Sequence, residues 1–189
     1  MSTARASPHT APHLALLADR GRDSRDMYAE FLRHAAYDVE EAEDGRVALE
    51  ALSRRPQIII TDTQLPGIDG FELCELLRID DATRAIPIIV VTADVYPADV
   101  ARAERAGADV VLRKPCLPDR LLAEIRRCLE RSAQLRQRAT AVRARLHEQL
   151  RRSTQGGSQS HNPSQGADHR DRNQSQGESN QGGQPGMKR

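Results

Sequence analysis

The chain has 189 residues, and its 28 basic and 27 acidic side chains nearly balance, for a formal charge of +1 at pH 7. No run of about eighteen apolar residues occurs and residues 1–12 lack the apolar core of a signal peptide, so we predict neither a membrane span nor secretion. The three cysteines are odd in number and lack C-x-x-C spacing, which argues against disulfides and zinc and predicts a cytoplasmic protein.

Apolar runs of strand length alternate along the chain with segments of helical period. The predicted strands are residues 13–18, residues 37–42, a third strand that ends at Asp62, residues 86–92 and residues 109–113. The predicted helices are residues 24–35, 45–54 after Asp44, 70–79, 97–106 with Pro97 in the first turn, and a last helix that starts near Pro118. The alternation predicts an α/β fold, a doubly wound parallel sheet with helices on both faces.

The last helix is longer than one domain can cover. No Gly or Pro interrupts it before Gly156, so residues 120–152 could extend roughly 50 Å. A 3-4 spacing of small and apolar residues marks an a/d seam that Ser132 and Ala139 weaken. The seam is Ile125, Cys128, Ser132, Leu135, Ala139, Val142 and Leu146. The pattern fits either a single solvated helix or a weak homodimer through the C-terminal helix.

Charge is divided between the predicted domain and this helix. Residues 13–119 hold 13 basic and 21 acidic side chains, whereas residues 120–152 hold 10 arginines and 3 glutamates. The basic helix could meet nucleic acid, an acidic partner or the acidic domain of a neighbouring subunit. No helix-turn-helix, zinc finger or aromatic interleaving accompanies the arginines, so we do not expect nucleic acid to be the partner. Residues 1–12 and 153–189 contain too few apolar side chains to fold, and we predict that both are disordered.

Polar residues follow four of the predicted strands at the point where each strand ends. They are Asp19, Asp62, Thr92 and Lys114. In an open parallel sheet, ligands bind outside the carboxyl ends of the strands, so these four side chains are expected to converge on one site. An aspartate can attack a phosphoryl group, while an ammonium, a hydroxyl and Mg²⁺ neutralise the phosphoryl oxygens. Two carboxylates suit Mg²⁺, which keeps several waters.

At this point the chain resembles the receiver domain of two-component response regulators. The matching segments are residues 14–19, residues 58–70 with Asp-x-x-x-Pro-x-x-Asp-Gly spacing, residues 87–94, and Ala106-Gly107-Ala108 through Lys114-Pro115. The resemblance implies a five-stranded, flavodoxin-like receiver fold and a cis peptide at Lys114-Pro115.

The resemblance also implies roles for individual residues. Asp62 is the expected phosphoacceptor, with Thr92 and Lys114 in contact with the phosphoryl group. Asp19, Asp62 and the Gln64 carbonyl are the expected Mg²⁺ ligands. Phosphate is expected from a sensor histidine kinase or a phosphotransfer protein, and is lost again to water. The protein is therefore expected to signal to a downstream protein partner and not to act as an enzyme.

Three residues depart from the pattern of the family. Ala18 replaces the first of two adjacent acids, which is expected to weaken Mg²⁺ binding. Val111 stands where an aromatic residue of the fifth strand usually couples to the Thr, so that coupling is expected to be absent. Cys116 stands where a Phe is common, and is expected mainly to alter packing.

We therefore predict a stand-alone response regulator with a receiver domain over residues 13–129 and a basic helical extension over residues 130–152. The alternative is a degenerate, phosphate-independent pseudo-receiver that serves as a scaffold. A phosphatase of the haloacid-dehalogenase type would share the nucleophile, but those enzymes carry a second Asp two residues later, where this chain has Gln64.

Overall fold

The structure, a computed structural model, describes residues 12–93 and 96–155, and the side chains of residues 154 and 155 are not described. Contacts divide the chain into two units, residues 1–146 and residues 147–189. Of the two segments predicted to be disordered, all but residues 12 and 153–155 lie outside the described residues. Residues 153–155 continue the last helix, so the predicted boundary at residue 152 was wrong. No helix breaker precedes Gly156, and backbone hydrogen bonding therefore continues to that point.

Five strands form one sheet in which every neighbouring pair is parallel. They are β1 (Leu14–Ala18), β2 (Asp38–Ala42), β3 (Ile58–Thr61), β4 (Ile88–Thr92) and β5 (Val110–Arg113). Their order across the sheet is β2-β1-β3-β4-β5. The predicted strands are all present, with ends that differ by one or two residues. The reversal of strand order beside β1 is the topological switch at which doubly wound folds place their ligands.

Within the described residues, five α-helices connect or follow the strands. They are α1 (Arg22–His34), α2 (Gly45–Ala51), α3 (Gly70–Ile79), α4 (Pro97–Ala106) and α5 (Pro118–Gln155). The predicted second helix is shorter than expected, because a 3₁₀ turn over Leu52–Arg54 and a left-handed Arg55 end it. Carboxylates cap two helices. Asp44 accepts from the Val47 N–H at 2.7 Å, and Asp69 accepts from the Glu72 N–H at 2.8 Å.

The sheet is covered on both faces, which confirms the predicted doubly wound fold. Ala15 and Leu17 of β1 face a cluster that also contains buried residues of α1 and α5. Leu16 and Ala18 face the opposite cluster, to which α2, α3 and α4 contribute. Successive residues of β1 thus serve two cores, as the period of a strand requires. Because helices cover both faces of the sheet, the edge formed by the carboxyl ends of the strands remains accessible for a functional site.

α5 belongs to the core only in its first three turns. Ile125, Cys128 and Leu129 are buried there, and the residues that follow as far as residue 153 are exposed except for the half-buried Ser132. The first two residues of the predicted seam are therefore already packed. The exposed part of the seam consists of Leu135, Ala139, Val142 and Leu146. Leu135, Val142 and Leu146 are 57%, 62% and 54% exposed. No helix over residues 12–93 and 96–155 is both long and apolar enough to cross a membrane.

Candidate functional site

Backbone hydrogen bonds carry the parallel ladder one residue past the strands and thereby place the site. The Asp19 N–H donates to the Ala42 carbonyl at 3.0 Å, and the Asp62 N–H donates to the Ala18 carbonyl at 2.9 Å. The Lys114 N–H donates to the Thr92 carbonyl at 2.8 Å. The four polar strand ends found in the sequence are thus held in register at one edge of the sheet.

Lys114 joins the two carboxylates. Its Nζ lies 2.7 Å from Asp19 Oδ2 and 2.6 Å from Asp62 Oδ2. The two aspartates are only 3% and 6% exposed, so solvation by water does little to stabilise their negative charges. Burial alone would lower the pKa of Lys114, but its hydrogen bonds to Asp19 and Asp62 and their negative charges outweigh burial and raise it. The site therefore contains a stable ammonium between two buried carboxylates.

The start of α1 orients Asp19. The Gly21 N–H donates to Asp19 Oδ1 at 2.8 Å, and the Ser24 hydroxyl donates to Oδ2 at 2.8 Å. Arg25 donates to the Asp19 carbonyl at 2.6 Å. The sequence reasoning missed Ser24 and Arg25, because it started α1 near Ser24 whereas the helix begins at Arg22. A serine in the first turn, three residues after Gly21, was the available signal.

A second set of donors surrounds Asp62. The Gln64 N–H donates to Asp62 Oδ1 at 3.2 Å, and the Thr63 hydroxyl donates to the same oxygen at 3.3 Å. Thr63 Oγ1 also lies 2.5 Å from Thr92 Oγ1. Both threonines are buried. The sequence reasoning named Thr92 and overlooked Thr63, although a hydroxyl residue directly after the candidate nucleophile was the available signal.

A close backbone approach fixes the turn after Asp62. A Cβ at Gly70 would lie 1.9 Å from the Asp62 carbonyl oxygen, so only glycine fits there. The Gly70 N–H donates to the Thr63 carbonyl at 2.9 Å. Gly67 in the same turn has φ +75, a left-handed conformation that favours glycine. The Asp-x-x-x-Pro-x-x-Asp-Gly spacing therefore holds residues 62 and 63 against the start of α3.

The remaining residues singled out in the sequence lie around this centre. Gln64 is exposed, and its side chain accepts from Arg20 at 2.6 Å. The predicted cis peptide at Lys114-Pro115 is confirmed. Ala18 is fully buried among apolar residues, and Val111 is partly buried against the same cluster. Cys116 is buried, and its carbonyl accepts from the Tyr28 hydroxyl at 2.9 Å.

The residues present fit Mg²⁺. Asp19 and Asp62 offer hard carboxylate oxygens, and two carboxylates with one ammonium leave a net charge of about −1 for a cation to neutralise. The described part of the chain contains no group of three or more His, Cys, Asp or Glu side chains suited to a metal. A site with few protein ligands is the type that Mg²⁺ accepts, because it retains water, and one that Zn²⁺ does not favour.

Comparison with known proteins gives consistent results. A family model described as the response regulator receiver domain matches residues 15–126. The curated "DNA-binding dual master transcriptional regulator RpaA" of Synechocystis sp. is 34% identical over 125 residues, which are 66% of this chain and 52% of RpaA. The "DNA-binding response regulator MtrA" of Mycolicibacterium paratuberculosis is 33% identical over 118 residues, 62% of this chain and 51% of MtrA.

Among solved structures, the chemotaxis response regulator CheY4 of Vibrio cholerae is similar with a TM-score of 0.59 and 31% identity. The match covers 62% of this chain and 98% of CheY4. The chain thus spans nearly all of this solved neighbour but about half the length of the curated relatives it matches.

Proposed function

The chain belongs to the response regulator receiver family, and from this we propose that Asp62 accepts a phosphoryl group and that the protein signals by contact with other proteins. The observation that carries the proposal is the Lys114 ammonium held at hydrogen-bond distance from both Asp19 and Asp62. A cation fixed beside a buried carboxylate at the open edge of a sheet suits the transfer of a negatively charged group. Receiver domains interact with histidine kinases or phosphotransfer proteins, which are the proposed donors.

The proposed reaction exchanges one bond for another. A carboxylate oxygen of Asp62 forms a bond to phosphorus, while the bond from phosphorus to the donor histidine nitrogen breaks and the imidazole leaves with the electron pair. Lys114 balances negative charge on the phosphoryl oxygens, and the Thr92 hydroxyl donates a hydrogen bond to one of them. Mg²⁺, when bound by Asp19, Asp62 and the Gln64 carbonyl, would add further charge neutralisation. Water later cleaves the aspartyl phosphate, releasing inorganic phosphate and restoring Asp62.

The signal would leave through a population shift. A conformer in which Thr92 approaches the phosphoryl group is favoured once Asp62 is modified, and a partner binds that conformer. We propose that the surface read by the partner includes α4, β5 and the basic part of α5. The two curated relatives are named as DNA-binding, so our expectation that nucleic acid is not a partner has no support from them.

We propose that the protein works in the cytoplasm. Cys74, Cys116 and Cys128 are all unpaired and buried, which fits a reducing compartment. Receiver domains in general are signalling proteins and not classical enzymes, and for this chain the only proposed turnover is the hydrolysis of its own aspartyl phosphate.

A phosphate-independent pseudo-receiver is the second candidate, and Ala18 and Val111 favour it. Ala18 has no carboxylate to assist Mg²⁺ binding, and Val111 has no aromatic ring that could change position together with Thr92. Such a protein would keep the sheet and the long helix and would bind its partner in one state only.

Intact-mass measurement separates the two candidates. The full chain is incubated with acetyl phosphate and Mg²⁺, beside Asp62→Asn and a control variant, Asp38→Asn, at an exposed strand residue. We expect one added phosphoryl group on the unmodified chain and the control, and none on Asp62→Asn. Label that persists in Asp62→Asn would refute the assignment of Asp62, and a folded chain that takes no label would support the pseudo-receiver.

A further inference from the structure

We infer that Thr63 is a positioning residue which holds Thr92 through its hydroxyl and so sets how readily phosphorylation of Asp62 moves Thr92. The inference rests on the proposed function and adds a residue to it. The contact depends on a hydroxyl directly after Asp62, which Thr63 provides.

Three side chains form an ordered hydrogen-bond chain. The Thr63 hydroxyl donates to Asp62 Oδ1 at 3.3 Å. Either hydroxyl could donate in the 2.5 Å contact between the threonines. We assign Thr92 as the donor, because the single proton of Thr63 then serves the buried Asp62 carboxylate. The hydroxyl of Thr92 is therefore directed to Thr63, and the hydroxyl of Thr63 to the carboxylate. Both threonines are buried, at 3% and 1% exposure, so water cannot easily replace this contact.

The backbone of Thr63 is more firmly fixed than the Thr92 side chain. The Thr63 carbonyl accepts from the Gly70 N–H at 2.9 Å. The Asp62 carbonyl oxygen, one residue earlier, packs so closely against Gly70 that a Cβ there would clash with it. Thr92 is the last residue of β4, where only its side chain needs to rotate for its hydroxyl to change partner. The hydrogen bond therefore restrains Thr92 and leaves Thr63 in place.

Val111 makes this restraint more important. It lies on β5, directly beside Val90 of β4 in the parallel register, and packs against a cluster of apolar residues. The β5 side chain at this position thus offers Thr92 no hydrogen bond. Thr63 supplies a hydrogen bond on the β3 side, between the residue to be phosphorylated and the residue expected to respond.

The direction of the effect follows from competition for one proton. In the unmodified protein the Thr92 hydroxyl donates to Thr63, whereas after phosphorylation it would donate to a phosphoryl oxygen. Loss of the Thr63 hydroxyl removes the competing acceptor and destabilises the unmodified state relative to the phosphorylated one. One neutral hydrogen bond changes such an equilibrium roughly two- to tenfold.

A double-mutant cycle tests the inference on the full chain. Labelling by acetyl phosphate with Mg²⁺ is measured for the unmodified chain, Thr63→Val, Thr92→Val and the double variant, and thermal unfolding reports whether each protein is folded. Thr63→Val keeps the shape and removes the hydroxyl, Thr63→Ser keeps the hydroxyl, and Thr63→Ala removes it in a smaller side chain should the valine not fold. We expect Thr63→Val and Thr63→Ala to lower the donor concentration for half-maximal labelling roughly two- to tenfold.

Thr63→Ser and the double variant complete the test of the role of Thr63. We expect Thr63→Ser to label like the unmodified chain. In the Thr92→Val background the two threonines no longer compete, and Thr63→Val removes only the 3.3 Å contact with Asp62 Oδ1, so we expect it to change labelling less there than in the unmodified chain. An equal effect of Thr63→Val in both backgrounds, or no effect in either, would overturn the role of Thr63 while the labelling of Asp62 stands. A folded, unmodified chain that takes no label would overturn the proposed function, and this inference with it.

Discussion

Lys114 donates to Asp62 Oδ2 at 2.6 Å, and this contact joins the residue that follows β5 to the residue that follows β3. The same ammonium reaches Asp19 beyond β1 at 2.7 Å, so one side chain connects three strand ends. Its side chain is 21% exposed, against 5% and 7% for those of its two partners. The ammonium therefore lies at the mouth of the site and the carboxylates lie beneath it.

Replacement of Lys114 should destabilise the protein in a way that Mg²⁺ reverses. Lys114→Met leaves two buried carboxylates without their cation, and we expect a loss of roughly 2 to 4 kcal/mol in the free energy of unfolding. Added Mg²⁺ should raise the melting temperature of this variant more than that of the unmodified chain, because it replaces the missing charge. Thermal unfolding in Mg²⁺ and in EDTA measures both effects. Equal Mg²⁺ responses would mean that the ion does not bind at these carboxylates.

Lys114 should also contribute a pH dependence at high pH. Its folded-state pKa is raised, so the folded protein keeps the ammonium proton at pH values where the unfolded chain has released it. The contribution is complete below the unfolded pKa of about 10.4 and is lost as the pH rises through the folded pKa. The difference in unfolding free energy between the unmodified chain and Lys114→Met should therefore shrink from pH 9 to pH 12. The buried cysteines, whose pKa values burial raises, are common to both proteins. Burial also raises the pKa of Tyr28 and the Lys114 charge lowers it, so both proteins carry Tyr28→Phe in this comparison. A constant difference would contradict this prediction.

A carboxylate at position 18 should tighten Mg²⁺ binding at a cost in stability. Ala18→Asp adds charge next to Asp19, and we expect the Mg²⁺ dissociation constant to fall roughly three- to tenfold. Ala18 is fully buried, so in EDTA the variant should lose about 2 kcal/mol or more. Ala18→Asn is the matched control, with nearly the same volume and no charge. A titration followed by calorimetry that shows no tightening would mean that position 18 does not face the ion.

Gly70 should tolerate no side chain. In Gly70→Ala the new Cβ would lie 1.9 Å from the Asp62 carbonyl oxygen, and backbone cannot move aside as a flexible side chain can. We expect a loss of roughly 3 kcal/mol in stability together with slower labelling of Asp62. Gly67→Ala is the comparison, because its Cβ meets nothing within 4 Å and carries only the cost of a left-handed conformation, about 1 kcal/mol. Denaturant unfolding ranks the two variants, and a larger loss for Gly67→Ala would contradict the close approach.

Truncation after Leu129 should leave a folded monomer, because Leu129 is the last buried residue among the described side chains of α5. If Leu135, Val142 and Leu146 pair with a second copy, the full chain should sediment as a weak dimer that added salt strengthens. The ten arginines on each helix would repel over about 8 Å at physiological salt, and salt screens that repulsion. Contact between the basic helix and an acidic partner should instead weaken with salt. A full chain that is monomeric at both salt concentrations would exclude self-pairing.

The sequence by itself determined the order of strands and helices and the residues at the strand ends. Period-two and helical patterns, capping aspartates and turn glycines act over a few residues, so the elements could be predicted to within one or two residues at most strand ends. Asp19, Asp62, Thr92 and Lys114 could be placed together because strands in a parallel sheet end at a common edge. The second helix was less well predicted, because its end depends on one left-handed residue, Arg55. The last helix continues to Gln155, beyond the predicted residue 152, although the lack of a breaker before Gly156 was visible in the sequence.

Only the tertiary structure decided which atoms meet. The Lys114 contacts to Asp19 and Asp62 span 95 and 52 residues of sequence, and the contact between Thr63 and Thr92 spans 29. Such contacts depend on sheet register and side-chain rotamer, which no local pattern encodes. The same holds for the seam of α5, where packing against the sheet buries Ile125 and Cys128 and leaves Leu135, Val142 and Leu146 exposed. A helical repeat gives the spacing of apolar residues, and only the packed domain determines how many of them remain for a partner.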